Sequence, residues 1–369
     1  MSLIDQAGEV KKGEALNSEI LDAYLKSNIK NLTGKLNIHQ FSGGASNLTY
    51  LMSYANKTFI LRRPPFGKIA KSAHDMIREA KIMQALKPVY PDIPDILHIH
   101  TPSATINYDF YVMECVSGII PRRNFPEELT LTKKQTTQLC TNVIDKLIEL
   151  HQIDYQTAGL QHLGKGDGYV VRQITGWSKR YQQALTPDAA TFEQVITWLN
   201  NNMPDDMATC VIHNDFRLDN VVLNPENPVE VIGVLDWEMA TLGDPLMDLG
   251  NSLAYWVQAD DAPLLQDFRR QPTHVEGMLT RDEVIAYYLK NINIKHKILK
   301  EKTLTVADFD FYQIYGLFRL AAIIQQLYYR YSHAKAQGQT PDPRFADFVT
   351  VGKFLEQRCL NMINKKHET

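Results

Sequence analysis

The chain has 369 residues, 44% of them hydrophobic and 22% charged, with 39 Lys and Arg against 42 Asp and Glu for a formal net charge of −3. That near balance gives no global reason to bind nucleic acid or an anionic membrane, and 19 Gly with 17 Pro exclude collagen-like or low-complexity character. Cys115, Cys140, Cys210 and Cys359 are scattered and form no Cys-x-x-Cys pair, which argues against a disulfide framework or a zinc knuckle and for a reducing, cytoplasmic compartment.

The first residues, through Asn17, lack the apolar core of a signal peptide, and no stretch approaches the ~18 uninterrupted apolar residues of a spanning helix. Residues 1–35 read as an N-terminal helical extension, 36–117 as a β-rich unit and 118–369 as a mostly helical one. In the second unit the β-prone runs Leu36–Phe41, Leu48–Tyr54 and Thr58–Leu61 come first, the last two separated by the turn-like Ala55-Asn56-Lys57. A helix is expected over Ser72–Leu86, with Met76, Ala80, Met83 and Leu86 on one face, then strands over Ile96–Thr101 and Phe110–Val116. This order describes a small antiparallel sheet carrying one helix.

Past residue 125 the helical period takes over. Leu139, Val143, Leu147 and Leu150 fall on one face of a helix that starts near Thr130 or Thr132. Further helices are expected around 190–202, 245–257, 281–290, 307–333 and 343–364. Residues 211–235 interrupt this texture with two short apolar runs, Val221–Leu223 and Val229–Leu235, around Asn-Pro turns. The whole is an α+β chain with a small β-rich island inside its helical part.

That island carries the strongest chemical signal. His213-Asn-Asp-Phe-Arg-Leu-Asp-Asn220 is followed by the apolar run Val231–Leu235 and then Asp236-Trp-Glu238. Phosphoryl transfer from a nucleotide needs a carboxylate beside the acceptor hydroxyl and oxygen ligands that hold magnesium on the phosphates. A lone Asp-x-x-x-x-Asn usually just caps turns. Here His-x-Asp-x-x-x-x-Asn is joined by a strand-borne Asp, the arrangement of a kinase catalytic loop and its metal-binding Asp. Asp215 is then the base or the group that orients the hydroxyl, Asn220 and Asp236 are Mg²⁺ ligands, and His213 braces the loop.

Other parts follow the same logic. Gly43 and Gly44, between two strands, let backbone N–H groups approach phosphate, and Ser46 and Asn47 add side-chain donors. Arg62 ends the third strand where a kinase carries its phosphate-contacting Lys, and Glu79 on the next helix is its expected partner. Arg62 and Arg63 as solvated edge charges are the plain alternative. Backbone groups of Glu114 to Val116, with Met113 alongside, suit an adenine edge at a hinge. Charge segregates accordingly: residues 57–87 hold eight basic and two acidic residues, and 205–248 hold one basic and ten acidic.

With these parts in chain order, the sequence resembles the aminoglycoside phosphotransferase family of kinase-like enzymes, and more closely the branch whose members can be fused to acyl-CoA dehydrogenase domains. Ser42–Thr49, Leu61–Pro65, Ala73-His-Asp75 with Arg78-Glu79, His213–Asn220, Leu235–Glu238, Gly243-Asp-Pro245 and Asp248-Leu249 carry the likeness. The resemblance implies a protein-kinase-like two-lobe fold and transfer of the γ-phosphoryl group of ATP, with GTP as an alternative, to a hydroxyl of a small molecule. It implies Asp215 as base, Arg217 steadying the transferred group, and Arg62 with Glu79 organising phosphate. Fused relatives hint at a hydroxy acid or hydroxyacyl acceptor; aminoglycosides, other amino alcohols or sugars are the alternative. A protein kinase is disfavoured because no Ala-Pro-Glu follows Asp236. A pseudokinase interaction module is disfavoured because Asp215, Asn220 and Asp236 are all present. The family pattern usually has Gly where this chain has Asn214, so a left-handed backbone is expected there, which Asn tolerates.

Overall fold

The structure is a computed structural model that describes residues 4–41, 47–66, 75–296 and 305–365. The first helix, α1 (Ser18–Asn28), is capped by Asn17, whose side chain accepts from the Ile20 N–H. Strands β1 (Asn37–Gln40), β2 (Leu48–Ser53) and β3 (Thr58–Arg63), helix α2 (Met76–Leu86), and strands β4 (Ile96–His100) and β5 (Phe110–Glu114) follow. The five strands form one antiparallel sheet in the order β1-β2-β3-β5-β4.

Side-chain alternation along the strands gives this sheet two buried faces. Phe59, Leu61, Phe110 and Val112 pack with Leu21 and Leu25 of α1. Ile60, Tyr111 and Met113, one position out of phase, pack toward Ala80 and Met83 of α2. The sheet thus carries a helix on each face, one more than the pattern of its own segment announces. Among the described residues up to 35, only Ser18–Asn28 is α-helical; upstream, Gly8 pairs antiparallel with Gln40 on the free edge of β1.

The larger, helical part begins with α3 (Lys133–His151), whose start is fixed by a reciprocal capping box between Thr132 and Gln135. Then come α4 (Tyr169–Gln183), α5 (Glu193–Asn201), β6 (Cys210–Ile212), β7 (Val221–Leu223), β8 (Val231–Val234), β9 (Thr241–Gly243), α6 (Pro245–Ala254), α7 (Pro263–Phe268), α8 (Arg281–His296), α9 (Asp310–Ala336) and α10 (Phe348–Lys365). Where α6 meets α9, a Cβ on Gly316 would overlap the carbonyl oxygen of Gly250, so the two backbones touch. No helix among the described residues is long and apolar enough to cross a membrane.

Several boundaries differ from the periodic reading for identifiable reasons. Helix α2 starts at Met76 because Asp75 caps it, and Ser72–His74 lie outside the described residues. Helices α9 and α10 start late because Val306–Phe309 and Pro343–Phe345 wind as 3-10 turns before them. Helix α6 stops at Ala254, short of 257, whereas α8 runs on to His296. Helix α4 was not anticipated: its Gly168 cap sits at φ 80° with no capping side chain of its own. The Asp206 carboxylate, far along the chain, accepts the N–H groups of Tyr169 and Val170 at 2.8 and 2.9 Å instead.

Candidate active site

Two small ribbons hold the central loop. Strand β6 pairs with β9, and β7 with β8, so the segments His213–Asn220, from β6 to β7, and Leu235–Ala240, from β8 to β9, both cross between the two ribbons. The Leu235 N–H donates to the Asn220 carbonyl at 2.8 Å, tying the two segments directly. Asn214 and Asp236 both adopt left-handed backbone, at φ 66° and 68°. Asn214 therefore meets the left-handed requirement read from the sequence, and it is fixed by its amide: Oδ1 accepts from Tyr169 at 3.1 Å and Nδ2 donates to the Met239 carbonyl at 3.1 Å.

Beneath the loop lies Asp248, fully buried in the first turn of α6. Its carboxylate accepts the N–H groups of His213 and Asn214 at 2.8 and 2.7 Å and contacts His151 Nε2 at 3.0 Å. Burial works against its charge, but the His151 hydrogen bond and the other donors outweigh it and hold Asp248 below the ordinary carboxylate range. His213 accepts the Asp215 N–H on Nδ1 at 3.3 Å, which leaves Nε2 to donate to the Leu235 carbonyl at 3.0 Å. With both ring nitrogens used, His213 links the two segments.

Of the three residues singled out for chemistry, Asn220 and Asp236 line the cleft and Asp215 sits beside it, bonded to Asn220. Asn220 Nδ2 donates to the Asp215 carbonyl at 2.8 Å and to its Oδ2 at 3.1 Å, and Arg217 Nη1 lies 3.2 Å from Asp215 Oδ1. Burial pushes the Asp215 carboxyl up from its ordinary value, and Arg217 pulls it partly back. Arg217 also donates to Asp219 at 2.9 Å and stacks on the Tyr255 ring at 4.6 Å. Asp236 is held below the carboxylate range: burial opposes its charge, and the Arg62 guanidinium overcomes that.

Arg62 is the junction between the sheet and this loop pair. Its Nη1 donates to Glu79 Oε1 at 2.8 Å and its Nη2 to Asp236 Oδ1 at 3.0 Å. Glu79 is fully buried, and burial raises its carboxyl to about 7 against the pull of Arg62. Arg62 and Arg63 are both buried, so neither is a solvated edge charge. Arg63 points to the opposite face of the sheet, between the rings of Phe66 and Tyr108 at 3.9 and 3.8 Å, away from the cleft.

The cleft itself has a volume of about 640 Å³. Thr49, Leu51, Ile60 and Arg62 form its roof, Met113–Gly118 its back, and Asn220, Leu235 and Asp236 its floor. Met113, Glu114 and Val116 therefore line it as a hinge would. Gly43, Gly44 and Ser46 lie outside the described residues. Asn47 is buried and donates to Glu238 Oε2 at 2.8 Å, so it bridges to the loop after Asp236. The donor set on the floor is oxygen-rich and small, an Asn amide and one Asp carboxylate, which suits a hard cation that keeps waters and shares phosphate oxygens.

Sequence reading gave no role to Asp219 or Arg78, though both lie in its motifs, and did not single out the segment Ile4–Ala7; all of them shape this region. Arg78 donates to the backbone carbonyls of Glu238 and Ala240 at 3.2 and 2.6 Å. Asp219 had a signal, since it lies two positions after Arg217; the other two depend on contacts 160 positions away or on the edge of β1. Trp256, Tyr312, Tyr315 and Tyr328 are core residues, and Arg319 is buried behind the loop, donating to the Asn214 carbonyl at 3.1 Å.

Known proteins share both sequence and fold with this chain. It is 34% identical over 333 residues to acyl-CoA dehydrogenase family member 10 of Mus musculus, covering 90% of this chain and 30% of that protein. It is 31% identical over 330 residues to acyl-CoA dehydrogenase family member 11 of Homo sapiens, covering 88% of this chain and 40% of that one. The chain thus spans well under half the length of these relatives. Among solved structures, a candidate aminoglycoside phosphotransferase from Ralstonia eutropha superposes with a TM-score of 0.77 at 24% identity, covering 95% of this chain and 99% of that one. Choline kinase from Cryptosporidium parvum gives 0.62 at 14% identity, covering 95% and 97%. The architecture is accordingly the kinase-like two-lobe fold. Residues 37–283, from β1 into α8 and including Arg62, the His213–Asn220 loop and Asp236, match the profile of the phosphotransferase enzyme family, and the chain belongs to that family.

Proposed function

We propose that this protein is a small-molecule kinase that moves the γ-phosphoryl group of ATP to an acceptor hydroxyl. The observation that carries the reading is that Asn220, Asp236 and Arg62 line one cleft backed by a hinge-like strand end, with Asp215 hydrogen-bonded to Asn220 beside it. Residues 36–117 act in it as the nucleotide-binding lobe and 118–369 as the lobe that carries the loop and acceptor-binding helices.

Asp215 accepts the proton of the acceptor hydroxyl as the oxygen–phosphorus bond forms and the bond from the γ-phosphorus to its bridging oxygen breaks, releasing the nucleoside diphosphate. Asn220 orients that carboxylate through its amide, and Arg217, 3.2 Å from Asp215, stands where charge on the transferred group develops. Asn220 and Asp236 are the residues that would hold Mg²⁺, and the ion when bound supplies neutralisation of phosphate charge. Arg62 binds phosphate while Glu79 fixes its position. The chain reaches Pro245, the first residue of α6, nine positions after Asp236, which leaves no length for the peptide platform of a protein kinase.

For the acceptor, the reading is a hydroxy acid or hydroxyacyl compound. Arg217 with the Tyr255 ring beside Asp215 suits an anionic or apolar acceptor better than a polycation, and the relatives' names join this segment to acyl-CoA chemistry. The cytoplasm fits four free thiols, three of them buried. A phosphate-transfer screen with Mg²⁺ and ATP against hydroxy acids, hydroxyacyl thioesters, choline-like alcohols, sugars and aminoglycosides tests the assignment. Turnover of hydroxy acids or their thioesters, abolished by Asp215→Ala, is expected. Turnover of aminoglycosides alone overturns the acceptor class, and activity untouched by Asp215→Ala overturns the mechanism.

A further inference from the structure

The cleft has a fourth side that belongs to neither lobe. Ile4, Asp5, Gln6 and Ala7 line its outer edge, between β1 and the segment that follows β5. The strap is anchored at both ends. On the sheet side, Gly8 exchanges two backbone hydrogen bonds with Gln40, at 2.9 and 3.0 Å, and the Gln40 side chain accepts the Lys11 N–H at 2.9 Å. At its other end, the Asp5 N–H donates to the Gly118 carbonyl at 3.3 Å, and Arg122 Nη2 lies 2.9 Å from Asp5 Oδ2.

Gly118 and Arg122 move with the helical lobe, because Ile119 exchanges backbone hydrogen bonds of 3.0 and 2.8 Å with Leu223 of β7. The strap therefore spans the two lobes across the mouth of the cleft. Its two anchors are unequal. The Gly8 end completes a sheet edge, whereas at the Asp5 end the Asp5 backbone bond is long, 3.3 Å, and the side chains of the ion pair remain 29% and 43% exposed. Half-exposed ion pairs are weak and are easily released.

We infer that Ile4–Ala7 is a hinged outer wall of the nucleotide cleft, latched at Asp5 to Arg122 and Gly118, which retards nucleotide exchange. This rests on the reading that the cleft binds nucleotide. In this reading a nucleotide seated against Met113–Gly118 passes the side that the strap lines, and the Asp5 end opens while the Gly8 end stays paired.

The test is stopped-flow displacement of a fluorescent ADP analogue by excess ATP, with Mg²⁺, on the full chain, on Asp5→Asn and on a chain beginning at Gly8. Asp5→Asn is expected to raise the dissociation rate about two- to fivefold, the effect of losing one exposed ion pair. Loss of residues 1–7 is expected to raise it further, with the melting temperature of the nucleotide-free protein unchanged in Asp5→Asn. Binding by the full chain with the same dissociation rate in Asp5→Asn and in the shortened chain overturns the wall and leaves the nucleotide site standing. No binding by the full chain overturns the nucleotide site and the wall together. Should the shortened chain fail to fold, Asp5→Asn decides alone.

Discussion

Arg62 donates to Asp236 at 3.0 Å across the cleft, from the end of a strand in one lobe to the start of a turn in the other. Its second amino group is taken by buried Glu79, so a single planar guanidinium spans two carboxylates that belong to different lobes. Lysine has the charge but not the fork. Arg62→Lys is expected to keep one of the two contacts and raise the nucleotide Kd about tenfold, the equivalent of one charge-assisted hydrogen bond. Titration with a fluorescent nucleotide checks this; an unchanged Kd would mean that the fork is not used for phosphate.

Asn214 separates two contributions that are usually confounded. Its φ of 66° disfavours any residue with a Cβ, while its amide makes specific hydrogen bonds. Asn214→Gly and Asn214→Ala both lose the amide, and only the second keeps the backbone penalty. The glycine variant is expected to be more stable than the alanine variant by about 1 kcal/mol in urea unfolding. Equal stability would show that the loop relaxes to another backbone conformation.

The crossing of α6 and α9 leaves no space for a side chain at Gly316. Since the obstacle is the Gly250 carbonyl, a methyl group forces the helices apart, and α6 carries Asp248 under the loop. Gly316→Ala is expected to destabilise the protein by about 1–3 kcal/mol and to lower kcat as well, since the Asp248 contacts shift with the helix. Thermal melting and steady-state kinetics on the same sample read both effects. Gly352→Ala on α10, where a Cβ meets nothing, serves as the harmless comparison.

Asp248 also sets a pH dependence. Its carboxyl is lowered in the folded protein relative to an ordinary value of about 3.9. The unfolded chain therefore takes up this proton first as pH falls. The stabilisation is complete above about pH 4 and is lost as pH drops through the lower folded value. Asp248→Asn is expected to lose about 2–4 kcal/mol near neutrality, because the amide replaces an acceptor of two loop N–H groups, and to flatten the acid limb of a stability profile. An acid limb as steep as that of the parent chain would assign it to other carboxylates.

Much of this arrangement was legible from residue types in order. The strands around Arg62 and Met113 follow β-prone runs, α3 follows its Thr132 cap and a regular apolar period, and the His213–Asn220 spacing places its own side chains because a tight loop fixes them locally. Helix α4 escaped because its cap comes from Asp206 rather than from a neighbour. The Arg78 and Asp5 contacts escaped for a related reason: hydrogen bonds between segments far apart in sequence leave no periodic mark. The local code announced which residues meet in the cleft, and tertiary contacts decided what holds them there.

Arg78 has a larger consequence than a bond between lobes. In protein kinases, placement of the helix that bears the paired glutamate is a control point, because moving that helix separates Glu from its cationic partner. Here α2, which carries Glu79, is fastened through Arg78 to the carbonyls of Glu238 and Ala240, immediately after Asp236. The helix that serves protein kinases as an on–off lever is here bonded across to the segment after Asp236, in the position that keeps Glu79 on Arg62.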